Sequence, residues 1–227
     1  MLRWSTSTQA RTCLTTFLLL LSLIEGQVYG ASREQLIPIL GVTTDQNQIG
    51  TVSYVRVSFD ERQDQEGLML HFHTTPGRFS RMAQTSIEQA IRRSARSLEI
   101  STDSWTVELS VPYSGITIYG DSVSAMVSLS VAAMAQGKSV STGHVLTGTV
   151  TPDGEIGPVG SVPLKIQAAR AAKLRRVVVP RQTPAAEHAG NLPISIQISP
   201  VQSVPEALDA LTNSSPTKSA MPEAEPR

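Results

Sequence analysis

Residues Gly120 to Pro180 read GDSVSAMVSLSVAAMAQGKSVSTGHVLTGTVTPDGEIGPVGSVPLKIQAARAAKLRRVVVP. The segment opens with Gly120-Asp121-Ser122 at the end of a short extended run. It then continues as an apolar helix to about Gln136, which Gly137 stops. Val145 to Thr151 is extended, Pro152-Asp153-Gly154 is a turn, and Glu155 to Gly160 is loop-like because of Gly157 and Gly160. Pro163 suits the first turn of a helix that runs to about Lys173. Arg176 to Pro180 (RVVVP) is a strand of the fully buried kind.

The flanks continue the mixture. Upstream, Gln35 to Thr43 is a first extended segment, and Gly50 to Phe59 is a strand marked by alternating Val55, Val57 and Phe59. A polar loop from Asp60 to Gly67 leads into a strand at Leu68 to His73. Arg81 to Leu98 is an amphipathic helix with Ile87, Ala90, Ile91 and Leu98 on its apolar face. Val107, Leu109 and Val111 alternate as a strand, and Ile116 to Ile118 is extended. Downstream lie a strand at Ile194 to Ile198 and a closing helix from Val204 to Leu211. The expected class is therefore α/β in the broad sense that includes α+β, with residues 37–212 as the folded part.

Two side chains in the central segment carry chemistry. A serine at 122 lies in the positive field of a helix terminus, beside unpaired N–H groups that can hold an oxyanion. Position alone also allows a plainer role, in which Asp121 or Ser122 caps the helix. Lys165 shares its helical face with Ala168, Ala169 and Ala172, an alanine stripe that should pack inward. Burial disfavours the ammonium and makes the amine a proton acceptor. The plainer alternative is a lysine that runs past the alanines to water.

Taken whole, Gly120 to Pro180 resembles the catalytic half of the Lon proteolytic domain. The matching residues are Ser122 at a helix start, Gly137, Thr147-Gly148, the turn Pro152 to Gly154, Pro158-Val159-Gly160-Ser161, and Lys165 before Ala168-Ala169. Ser122 and Lys165 stand 43 positions apart with no gap needed, as in that family. Gly-Asp-Ser is most similar to the archaeal membrane-anchored branch, and the likeness extends over about residues 40–212. It implies the Lon fold within the ribosomal S5 second-domain-like superfamily. It further implies a Ser122–Lys165 dyad, with Thr147 and Asp121 supporting it, acting on peptides or unfolded proteins. No metal, nucleotide or other cofactor takes part in such acyl transfer, and the family assembles as rings, which implies a homo-hexamer. Ser124 is a rival nucleophile, but choosing it requires a two-residue deletion before Gly137. Three departures stand out: Tyr119 occupies a usually acidic position, Ser161 replaces the second glycine, and Pro163-Leu164 replace polar neighbours of the lysine. They keep open a second reading, a non-catalytic binding or assembly module on the same fold.

The remaining features bound the answer. The chain has 227 residues and equal numbers of basic and acidic side chains, 19 of each, so no basic footprint points to nucleic acid. No Gly-x-x-x-x-Gly-Lys-Ser/Thr phosphate loop occurs, and the expectation is a stand-alone, ATPase-free form. Residues 1–30 read as an export signal: Arg3 and Arg11, the apolar run Cys13 to Ile24, and a cleavage site before Ala31. An uncleaved anchor is the alternative, disfavoured because the run is shorter than the ~20 residues of a spanning helix. Cys13 is the lone cysteine, so a processed chain has no disulfide and no thiolate chemistry. Residues 213–227 are polar and expected to be disordered. His71 and His73 face one side of a strand, as half-exposed residues or two ligands of an incomplete metal site, and His144 and His188 have no evident partners.

Overall fold

Val55, Val57 and Phe59 do share one face of a long strand, and all three are buried while Arg56 between them is exposed. The structure is a computed structural model that describes residues 33–44, 46–184 and 196–213. The chain divides into two units, Met1–Ala31 and Ser32–Arg227. The first, with the expected export signal, lies outside the described residues, as do His188 and residues 214–227.

The elements in order are β1 (Arg33–Val42), β2 (Gly50–Glu61), β3 (Met69–Phe72), β4 (Arg78–Phe79), α1 (Arg81–Ser97), β5 (Trp105–Ser110), β6 (Thr117–Ile118) and α2 (Ser124–Ala135). There follow β7 (His144–Leu146), β8 (Thr149–Val150), β9 (Ile156–Gly157), α3 (Val162–Ala171), β10 (Arg176–Pro180), β11 (Gln197–Val201) and α4 (Val204–Thr212). One sheet has the order β1-β2-β5-β3. Its first three strands are antiparallel, from the β1–β2 hairpin (Arg33 opposite Phe59, Val42 opposite Gly50) to β5, and β3 joins β5 in parallel. The other sheet, β11-β10-β7, is wholly parallel. Two short pairs complete the set: β4 with β6, and β8 with β9. Such mixed parallel and antiparallel pairing is the α+β form of the expected class.

The helix α2 is the centre of the core. Every residue from Ser124 to Met134 is buried, and the helix packs on α1, β2 and α4. Its interior serines keep their hydroxyls bonded. Ser128 Oγ donates to the Ala125 carbonyl (3.1 Å) and receives Ser94 Oγ of α1 (3.0 Å), and Ser130 Oγ donates to the Met126 carbonyl (2.8 Å). Gly137 stops the helix as expected: it takes φ +71°, its N–H bonds Met134 O, and Lys138 N–H bonds Ala133 O. In α1, Ser80 caps the first turn through Ala83 N–H (3.2 Å), and Ala83, Ile87, Ala90, Ile91, Ser94 and Ala95 form the buried face. Leu98, expected on that face, lies just beyond the helix and is half-buried.

Several expected boundaries move. The extended run before Ser122 ends at Ile118, and Ser122 sits in the turn ahead of α2, outside its first helical turn. The expected strand from Val145 to Thr151 breaks at Thr147-Gly148 into β7 and β8. The expected loop at Glu155 to Gly160 supplies β9, which folds back on β8. Of the strand expected at Ile194 to Ile198, Ile194 and Ser195 lie outside the described residues; the described strand is Gln197–Val201 and so runs past the expected end.

Candidate active site

Neither Asp121 nor Ser122 caps α2 with its side chain. The cap residue is Val123, which has no side-chain cap hydrogen bond, and Ser124 N–H is taken by the backbone carbonyl of Asp121 (2.9 Å). The Ser122 hydroxyl is thus not committed to helix ends. The turn is held instead by Gly148. Its N–H donates to Ser122 O (3.2 Å) and its carbonyl accepts from Ala125 N–H (3.3 Å). A side chain at 148 would meet Ile156 Cγ2 at 2.8 Å, so the close approach of this segment to β9 requires glycine. The N–H groups of Ser122 and Val123 donate no hydrogen bond among the described residues.

Thr147 joins the two halves of the site. Its N–H bonds Val178 O (3.1 Å) and anchors it to β10; its hydroxyl, 0 % exposed, accepts a hydrogen bond from Lys165 Nζ (3.2 Å). One dipeptide, Thr147-Gly148, therefore positions both the serine turn and the lysine amine.

Lys165 reaches that partner from the first turn of α3, where Pro163 occupies an early position as expected and Lys165 N–H bonds Ser161 O (3.2 Å). The residue is 3 % exposed, so the lysine does not run out to water. The alanine stripe accounts for only part of this burial: Ala169 is buried, Ala168 half-buried, and Ala172 exposed beyond the helix end. The rest comes from β1 and β2, against which α3 packs. At Gly50 the approach is so close that a Cβ would stand 1.9 Å from Leu164 O. Burial pulls the Lys165 pKa from 10.5 down to about 8, and the carboxylate of Asp121 pushes back up.

Ser122 and Lys165 line one groove of about 1060 Å³. Its walls are the end of β1 with the start of β2, the segment Gly115 to Gly120, and Gly160-Ser161. Tyr119 is 63 % exposed on this lining. Ser124, the rival nucleophile, is 1 % exposed at the first position of α2 and does not line the groove.

The histidines lie elsewhere. His71 is exposed on β3 and His73 is exposed just beyond its end, with His73 Nε2 3.2 Å from Glu108 Oε2. Among the described residues no three His, Cys, Asp or Glu side chains are grouped to hold a metal ion. His144, which has no evident partner in the sequence, is buried with Nδ1 3.2 Å from both Ala210 O and Leu211 O at the end of α4. Burial lowers its pKa, and the nearby Arg176 adds to the effect.

Gly148 as the clamp of the serine turn has no sign in the sequence beyond its place in a Thr-Gly pair. Ser161 stands in the sequence as a replaced glycine, without any sign that it adopts the left-handed conformation glycine favours (φ +58°, ψ +33°).

Residues 73–213 match the Lon protease (S16) C-terminal proteolytic domain. The archaeal Lon protease of Archaeoglobus fulgidus is 29% identical over 140 residues, which cover 59% of this chain and 22% of that protein. The chain thus spans about a fifth of the length of that relative.

Proposed function

This chain belongs to the Lon protease (S16) proteolytic-domain family, and on that premise we propose that it is an ATP-independent serine endopeptidase with a Ser122–Lys165 dyad. The observation that carries the reading is the buried amine of Lys165. It is bonded to Thr147 and shares a groove with Ser122, whose turn is clamped by the very next residue, Gly148. With a pKa of about 8, a useful fraction of that amine is neutral under mildly alkaline conditions.

Neutral Lys165 takes the proton from Ser122 Oγ as the oxygen attacks the scissile carbonyl. The tetrahedral oxyanion is received by backbone N–H groups at Ser122 and Val123. The protonated amine, steadied by Thr147 Oγ1 and by the charge of Asp121, then gives its proton to the leaving amine. Water hydrolyses the ester in a second round of the same proton transfers. The substrates are peptides or unfolded proteins laid in the groove. Export with a mature N-terminus near Ala31 and assembly as a homo-hexamer belong to the same reading. N-terminal sequencing of the exported protein and light scattering test them.

The deciding experiment is hydrolysis of casein or a fluorogenic peptide without nucleotide, with Ser122→Ala and Ser124→Ala beside the wild type. Ser122→Ala should be folded and inactive, and Ser124→Ala should retain most turnover. An active Ser122→Ala protein would end the proposal.

A further inference from the structure

The groove around Ser122 and Lys165 is lined, among the described residues, by no carboxylate and no guanidinium; Lys165 supplies its one amine. Its remaining polar surface is hydroxyl, carboxamide and backbone. A peptide seated there is oriented by neutral hydrogen bonds, so each hydroxyl on the wall matters to its placement.

One of those hydroxyls is held against a steric cost. Ser161 lies at φ +58°, ψ +33°, a left-handed conformation that glycine takes freely and a serine takes only by crowding its Cβ. Its neighbour Gly160 has no left-handed φ and open space where a Cβ would be. Glycine is thus present where the backbone does not ask for it and absent where it does. Helix capping does not explain the serine, because Ser161 makes no side-chain cap hydrogen bond to α3. The bond from its carbonyl to Lys165 N–H would be equally available to glycine.

The Ser161 hydroxyl donates to Gln48 Oε1 at 3.5 Å, a long contact that spans from the α3 side of the groove to the β1–β2 connection. The base of that connection is closed by Thr43 N–H to Ile49 O (2.9 Å) and Ile49 N–H to Thr43 Oγ1 (3.0 Å), which holds Gln48 near the wall. The carboxamide NH₂ of Gln48 and the acceptor lone pairs of Ser161 Oγ remain for a ligand.

We infer that Ser161 and Gln48 are substrate-positioning residues that together bind the main chain of one extended substrate residue, the Gln48 NH₂ donating to that residue's carbonyl and Ser161 Oγ accepting its N–H. The inference rests on the endopeptidase reading, and it locates a contact on the Lys165 side of the groove made by side chains instead of backbone.

The test is steady-state cleavage of one fluorogenic peptide by the wild-type chain, Ser161→Ala, Ser161→Gly, Ser161→Asn, Gln48→Ala and the Ser161→Ala/Gln48→Ala double variant. Melting temperature and the fraction labelled by a serine-directed fluorophosphonate accompany each. Ser161→Ala and Ser161→Gly should each raise KM by about three- to tenfold with kcat nearly unchanged, the effect of losing one neutral hydrogen bond. Ser161→Gly should also melt no lower than wild type, which separates lost binding from lost folding. Ser161→Asn, which tolerates the left-handed backbone and keeps hydrogen-bonding groups, should recover most of the KM. Gln48→Ala should raise KM similarly, and the double variant should add little to either single change. Normal wild-type turnover with unchanged KM in both Ser161→Ala and Ser161→Gly would overturn the inference alone. A wild-type chain that neither cleaves peptide nor takes the label would overturn the endopeptidase reading and the inference with it.

Discussion

Replacing Lys165 by methionine separates the cost of a buried amine from everything else the residue does. Lys165 is 3 % exposed, and burial brings its pKa down to about 8, whereas the unfolded chain titrates near ~10.4. Between those two values the unfolded state holds a proton that the folded state has released, so stability rises with pH across that window. Below about pH 8 both states are protonated and the folded state bears the whole penalty. At about 1.36 kcal/mol per tenfold this is about 3 kcal/mol. Methionine fills a similar volume and has no such term. Lys165→Met also leaves the Thr147 hydroxyl without its partner, and that loss is independent of pH here. The measurable quantity is therefore a difference of differences. Urea unfolding of wild type and Lys165→Met at pH 7 and pH 10 should show the mutant's relative stability falling by about 2–3 kcal/mol on going to the higher pH. A stability difference that stays constant over this range would refute the argument that the amine is desolvated in the native state.

Further outcomes follow from the same geometry. The wild-type kcat/KM should rise with pH through an apparent pKa of about 8, and a pH–rate profile on one peptide reads it directly. Lys165→Arg should be folded but inactive at every pH tested, since a guanidinium does not give up its proton; substantial turnover in that variant would remove Lys165 from the role of base. Gly50→Ala should destabilise the fold by more than about 2 kcal/mol and depress activity, because the added methyl meets the Leu164 carbonyl at 1.9 Å and must displace the helix that carries Lys165. Thermal unfolding and peptide cleavage check both halves of that statement.

Much of the architecture is readable from local pattern. Period-two burial at Val55, Val57 and Phe59, the buried run Arg176 to Pro180, the stop at Gly137 and the start at Pro163 each report a local physical demand, and each appears where expected. The failures have long-range causes. The sequence pattern puts Ser122 in the first turn of the helix, but its carbonyl accepts from Gly148 N–H, and helical pairing first appears at Val127 N–H to Val123 O. No local window contains residue 148. The β8–β9 pair is two residues long, too short to show any period. Asp60 to Gly67 reads as an undifferentiated polar loop, yet Arg62 organises it by bonding Asp64, Gly67 O, Trp105 O and Thr106 Oγ1. Those partners are adjacent only once β2 and β5 are paired. In the site, Lys165 stands out through its place before Ala168-Ala169 in the Lon-like segment; the alanine stripe alone also allows a lysine that runs to water, and of its three alanines only Ala169 is buried. Ser161 in its left-handed state does not stand out, because a strained φ has no signature in residue type.

The burial of α2 from Ser124 to Met134 also bears on how the molecule fails. An element enclosed on all sides exchanges its amide protons only when the whole domain opens, while edges and termini fray at far lower cost. The serine turn is the direct N-terminal extension of that element and is stapled to it through Gly148 and Ala125. Heating or denaturant should therefore leave the turn in register until the cooperative transition itself. Loss of catalysis and loss of fold should then trace one curve, with no inactive but folded species accumulating ahead of it.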